Sequence, residues 1–135
     1  MTEDELKTIF KNDHYAALTG IEIIEARIGY CKAALKISKH HLNTANVVHG
    51  GAIFTLADLA FAVASNSHGQ LALAINANIS YLKGVSDGTL TAIATETATP
   101  NRIGAYDVMV TNEKSEIIAR FNGIVYRKNE TLARK

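Results

Sequence analysis

The sequence contains no tryptophan, one proline and one cysteine, and neither sign of charge is in surplus. A lone cysteine, Cys31, cannot close an internal disulfide, and no CxxC or Cys/His cluster accompanies it, which points to a reducing, cytoplasmic compartment. Fourteen basic side chains nearly cancel thirteen acidic ones and leave a formal charge of +1, so no broad electrostatic footprint exists for nucleic acid or an acidic membrane surface. The longest apolar stretch, AIFTLADLAFAVA, falls short of the ~20 residues of a membrane span, and Asp58 interrupts it. The first ten residues, MTEDELKTIF, are acidic and lack the basic-then-apolar profile of a secretory signal. No repeat, linker or low-complexity segment divides the chain, so one domain over residues 1–135 is expected.

Apolar spacing predicts the elements. Leu6, Ile9, Phe10 and Ala17 suggest one amphipathic helix from residue 4 to about 18, with Thr2 as its cap. Residues 21–37 are rich in branched apolar side chains with Gly29 in the middle, and read as two strands joined by a tight turn. Residues 38–51 suit a loop. Residues 52–65 carry Ala, Leu or Phe at nearly every position, the signature of a helix enclosed by protein. Four strand-like runs follow: LALAINANISYL, GTLTAIATETA, IGAYDVMVTN and EIIARFNGIVYR. Asp87-Gly88 and residues 112–115 offer hairpin turns between them, and Pro100-Asn101 the remaining break. An α+β fold, with a mostly antiparallel sheet curled round one central helix, explains that order best.

Asp58 is out of place in such a helix. Burying an ionised carboxylate costs several kcal/mol unless it is paired or neutralised. It either pairs at a surface or subunit contact, or it is a desolvated carboxylate serving as base or nucleophile. His49-Gly50-Gly51 opens the same helix. Its glycines either permit a sharp turn into the helix or leave the first N–H groups unobstructed at the positive end of the dipole, where a developing oxyanion could be held. Eight residues separate Gly50 from Asp58, roughly 12 Å along a helix. Nucleophile and oxyanion donor must converge to about 3 Å of one carbon. If both act together, Asp58 must come from a second subunit whose helix runs antiparallel across a two-fold axis.

Asn43, His49-Gly50-Gly51 and Leu56-Ala57-Asp58 form N-x5-H-G-G-x6-D, which resembles the PaaI-like branch of the hotdog-fold acyl-CoA thioesterases. NSHG, ISYLKG, DGTLTA, PNRIGAYDV and AxFxGxxYR extend the likeness from about Leu18 to Arg127. The resemblance implies a hotdog fold and hydrolysis of an acyl-CoA. Asp58 matches the carboxylate that attacks the carbonyl or activates water, and Gly50 matches the donor that polarises the carbonyl. Asn43 matches the side chain that positions carbonyl or water, unless it serves a turn, and His49 is a supporting hydrogen-bonder. It also implies a homodimer with shared sites, and a dimer of dimers is expected because one dimer leaves much of the outer sheet exposed.

The chain has no G-x-S-x-G elbow for a serine nucleophile, and Cys31 has no partnered base. No metal is expected, since His40 and His41 would point apart on an extended chain and lack further ligands. No cofactor is expected either, coenzyme A being part of the substrate. Gly51, Tyr81, Lys83 and Arg102 are expected on the coenzyme side. By resemblance Tyr81 and Arg102 occupy positions where relatives touch the coenzyme, and Lys83 and Arg127 could meet phosphates. Asn76 and Asn78 share a strand face, and either could look into the site; Phe54 and Phe61 read as core. Two other readings compete: a hotdog hydratase, whose Asp and His would be five residues apart, and a non-catalytic acyl-CoA binding module, which would need no buried carboxylate.

Overall fold

The computed structural model describes residues 1–132. Its helices are α1 (Glu3–Phe10), α2 (His14–Thr19) and α3 (Gly50–Asn66). Its strands are β1 (Ile21–Arg27), β2 (Tyr30–Lys36), β3 (Gln70–Tyr81), β4 (Thr89–Ala98), β5 (Ile103–Thr111) and β6 (Ile117–Thr131). Among the described residues, no helix is long and apolar enough to cross a membrane.

The strands form one antiparallel sheet in the order β1-β2-β4-β5-β6-β3. Alternation decides which face is buried: on β4, Leu90, Ala92 and Ala94 point inward while Thr91 and Thr95 point out. The inward positions meet α3, whose Ile53, Leu56, Ala57, Ala60, Phe61, Val63 and Ala64 are all buried. Alanines on both surfaces (Ala33, Ala92 and Ala94 on the sheet) let the helix lie close to the strands. The tightest approach is at Phe61, whose ring lies over Gly123; a Cβ there would stand 2.5 Å from Cζ. Tyr106 and Phe121 close round the same ring, at centroid distances of 5.7 and 5.4 Å. This is the sheet wrapped round a central helix that the sequence leads one to expect.

Three local expectations need correcting. The single N-terminal helix is two helices, because Asp13 accepts the Ala16 N–H at 3.0 Å and caps a new start. Thr2 does cap α1, in a capping box with Glu5. Asp87-Gly88 is not a hairpin turn: β3 pairs with β6 at the far side of the sheet, while β4 lies between β2 and β5. Residues 112–115 do turn β5 into β6, and Asn101 takes a left-handed φ of 56° between β4 and β5. Finally, His40 and His41 are not extended but lie in a 3-10 turn, Lys39–His41. His41 Nδ1 accepts the Ser38 N–H at 3.0 Å, so its Nε2–H donates to the Thr19 carbonyl at 2.6 Å.

Candidate active site

Helix α3 begins without enough acceptors for its first N–H groups, and the surroundings satisfy all but one. His49, the N-cap residue, takes the Gly51 N–H on Nδ1 at 2.9 Å. Its carbonyl accepts from Ala52 at 2.9 Å and Ile53 at 3.3 Å. The Gly50 N–H has no acceptor among the described residues. Thus only one of the two glycines keeps a free donor. Since Nδ1 of His49 is the acceptor, the proton of the neutral ring sits on Nε2.

The expected residues gather unevenly round this point. Tyr81, at the end of β3, donates its hydroxyl to the Gly50 carbonyl at 3.0 Å. Asn43 holds the loop before the helix: Oδ1 accepts from the N–H groups of Ala45 (2.9 Å) and Val47 (3.3 Å). That is the turn-serving role, and it sets the path of residues 43–47 into His49. Two clefts flank the helix start. A narrow one of about 370 Å³ is lined by Val48, Gly50, Ile53, Tyr81 and Lys83. A wider one of about 780 Å³ runs between α2 and the 3-10 turn, with Tyr15, Leu18, His41, His49, Gly51 and Thr55 on its walls.

Asp58 lies two turns further along, half-buried, with no hydrogen bond or ion pair among the described residues. Burial pushes its carboxyl above the usual range, and the charge of Asp13 adds to the rise. Its face of α3 is the one the sheet leaves uncovered: Gly51, Thr55, Asp58 and Ala62 recur at helical spacing and all retain exposure. Within one chain Asp58 and the Gly50 N–H therefore share a helix but not a reacting atom. Thr55 was missed from sequence, although its spacing from Gly51 and Asp58 signals it; its hydroxyl donates to the Gly51 carbonyl at 2.7 Å.

Other candidates stand apart. Lys83 is ion-paired with Glu116 at the mouth of the narrow cleft. Arg102 donates to the Arg127 carbonyl at 3.0 Å and to Asn129. Arg127 cannot meet a phosphate: it is 5 % exposed. Its guanidinium donates to Glu96 (3.2 Å), the Tyr106 hydroxyl (2.8 Å) and the Ile103 carbonyl (3.1 Å). Asn78 faces the outer side of the sheet beside Asp107 and Asn122, and Asn76 pairs with Ile124 on the exposed β3. Phe61 is core, and Phe54 packs edge-on against Phe121. Cys31 is buried and its thiol is pushed up to about 12, mainly by burial and further by Glu3, which leaves it protonated and inert. Among the described residues, no group of three His, Cys, Asp or Glu is placed to hold a metal.

Residues 45–119 match the family model described as the thioesterase superfamily. A protein of Archaeoglobus fulgidus is 47 % identical over 96 % of this chain and 85 % of its own length. The acyl-coenzyme A thioesterase PaaI of Escherichia coli is 34 % identical over 92 % of this chain and 89 % of its own. The structure of E. coli PaaI superposes with a TM-score of 0.92, at 32 % identity and covering 96 % and 95 % of the two chains. A matching family model, a matching topology and these identities give one conclusion: the chain belongs to the thioesterase superfamily, as a PaaI-like hotdog enzyme that hydrolyses thioesters.

Proposed function

We propose that the protein hydrolyses aryl- or medium-chain acyl-CoA to the free acid and coenzyme A, with Asp58 of one subunit and the Gly50 N–H of its partner acting on the same carbonyl. The observation that carries this reading is the pair of groups on α3 without a partner among the described residues, an N–H at its start and a partly desolvated carboxylate about 12 Å away. An antiparallel second copy of the helix brings one of each together, twice. Two surfaces favour that copy: the uncovered face of α3, and the outer edge of the twelve-residue β3, which is unpaired and carries exposed Leu73 and Ile75.

In this site the Gly50 N–H takes the negative charge that develops on the carbonyl oxygen. Asp58 either attacks the carbonyl carbon, expelling the thiolate and leaving an anhydride for water to cleave, or takes a proton from the attacking water. His49 Nε2–H supplies a second donor on the side of the wider cleft. Tyr15, Leu18, Leu42 and Ala52 give that cleft the apolar wall an aryl or medium-chain acyl group needs. Lys83 and Arg102 attract the coenzyme phosphates. Coenzyme A enters as part of the substrate, and no separate cofactor takes part. The enzyme works in the cytoplasm as a dimer of dimers, the outer sheet face with Met109 and Tyr126 meeting the second dimer.

Thiol release from a panel of aryl and straight-chain acyl-CoAs tests the reading, with Asp58→Asn beside the wild type. Turnover by the wild type, lost in Asp58→Asn while binding persists, supports it. Binding without turnover by either protein overturns it in favour of a binding module.

A further inference from the structure

The peptide unit between Gly50 and Gly51 is held at both ends by side chains. Its carbonyl, that of Gly50, accepts the Tyr81 hydroxyl at 3.0 Å. Its N–H, that of Gly51, donates to His49 Nδ1 at 2.9 Å. The preceding unit, between His49 and Gly50, is held only through its carbonyl and presents the free Gly50 N–H. The two planes are joined at the Cα of Gly50, the residue type with the widest range of backbone dihedrals. A glycine so placed can swing its N–H unless the next plane is fixed. The Tyr81 ring also lies against this Cα: a Cβ at Gly50 would stand 3.1 Å from Cζ. Tyr81 itself is anchored as the last residue of β3, opposite Ala119 on β6.

We propose that Tyr81 is a positioning residue for the Gly50 N–H, carrying the fixed orientation of the sheet to the start of α3. Its hydroxyl does this by fixing the Gly50–Gly51 peptide. Accepting that hydroxyl also polarises the peptide and strengthens its N–H bond to His49, so the two side chains reinforce one another. The inference rests on the thioesterase reading. It separates Tyr81 from a coenzyme contact by a kinetic signature, because an aimed donor acts on the transition state whereas a stacked ring acts on binding.

The test measures kcat and KM of wild type, Tyr81→Phe and Asp58→Asn on the best acyl-CoA of the panel, with free coenzyme A affinity and melting temperature alongside. Tyr81→Phe keeps the ring and removes the hydroxyl. It is expected to lower kcat about tenfold while KM, coenzyme A affinity and melting temperature stay close to wild type. Wild-type turnover that Asp58→Asn abolishes, with Tyr81→Phe retaining full kcat, overturns the inference and leaves the thioesterase reading standing. A raised KM with unchanged kcat also overturns it, making Tyr81 a coenzyme contact. A fall in kcat that follows a fall in melting temperature overturns it in favour of a purely structural role. A wild type that cleaves no thioester overturns the underlying reading and this inference together.

Discussion

The two ends of α3 treat polar groups in opposite ways. At the C-terminal end every polar side chain is engaged with protein. Ser67 Oγ donates to the Ala64 carbonyl at 2.6 Å and accepts the Gly29 N–H at 2.8 Å. Asn66 holds Ala72 through both its N–H and its carbonyl, at 2.9 and 3.3 Å. Beside them Glu96 collects His68 at 2.7 Å, Tyr106 at 2.5 Å and Arg127 at 3.2 Å. At the N-terminal end the Gly50 N–H, and halfway along the helix the Asp58 carboxylate, have no such partner among the described residues. The difference teaches how to sort buried charge: a satisfied network fastens the helix to the sheet, and an unsatisfied group is free to meet a substrate.

Substitutions at each end should give opposite phenotypes. The largest effect is expected from Asp58→Asn, which should lower kcat by about 10³ without lowering the melting temperature; steady-state kinetics with calorimetry will read both. At the other end Arg127→Met leaves Glu96 and Tyr106 without their cation. It should cost about 3 kcal/mol in denaturant unfolding, with KM of the folded fraction unchanged. Gly50→Ala forces a Cβ against the Tyr81 ring and should lower kcat about tenfold, with little change in KM.

Acid should separate the ends again. Burial pushes Glu96 upward, but the hydrogen bonds from Tyr106 and His68 and the charges of His68 and Arg127 outweigh it and hold the carboxyl below its usual range. Its stabilisation is therefore complete above the unfolded-state value and is lost as pH falls through the lower folded one. Asp58 is shifted the other way, so its ionised form costs stability. That cost is absent in acid and appears as pH rises from about 4 through the raised folded value. Melting temperatures across pH should show Asp58→Asn gaining on wild type as pH rises. Glu96→Gln should be least stable relative to wild type near neutrality, with the gap closing in strong acid. The smallest effect is expected from Lys83→Gln, which should raise KM about threefold, less at high salt, with kcat unchanged.

Periodicity made α3 and the six strands legible, because a helix enclosed by protein and half-buried strands leave different apolar rhythms. The motif singles out Gly50, His49 and Asp58 together; the structure puts His49 and Gly50 at the start of α3 and Asp58 two turns along it. What stayed hidden rests on polar contacts and strand order, which an apolar rhythm does not carry. The Asp87-Gly88 turn looked like a hairpin because neighbouring strands usually pair, yet β3 is carried by α3 to the opposite edge. Arg127 reads as a surface cation because the residues that engage it, Glu96 by charge and Tyr106 by its hydroxyl, lie 31 and 21 positions away. The break between α1 and α2 rests on one Asp13 side chain, which an apolar pattern does not register. By residue type Asn43 suits a turn or a site equally, and only the folded loop shows its turn bonds.

The fit of Phe61 over Gly123 has a mechanical consequence. A ring seated where a sheet residue has no side chain works like a key in a slot, so α3 cannot ratchet one turn, about 5.4 Å, along its axis without withdrawing the ring. Asp58 stands one turn before that key, and its position along the helix axis is thereby indexed. Any motion during turnover is left to the parts outside the lock, the loop of residues 43–47 and helix α2.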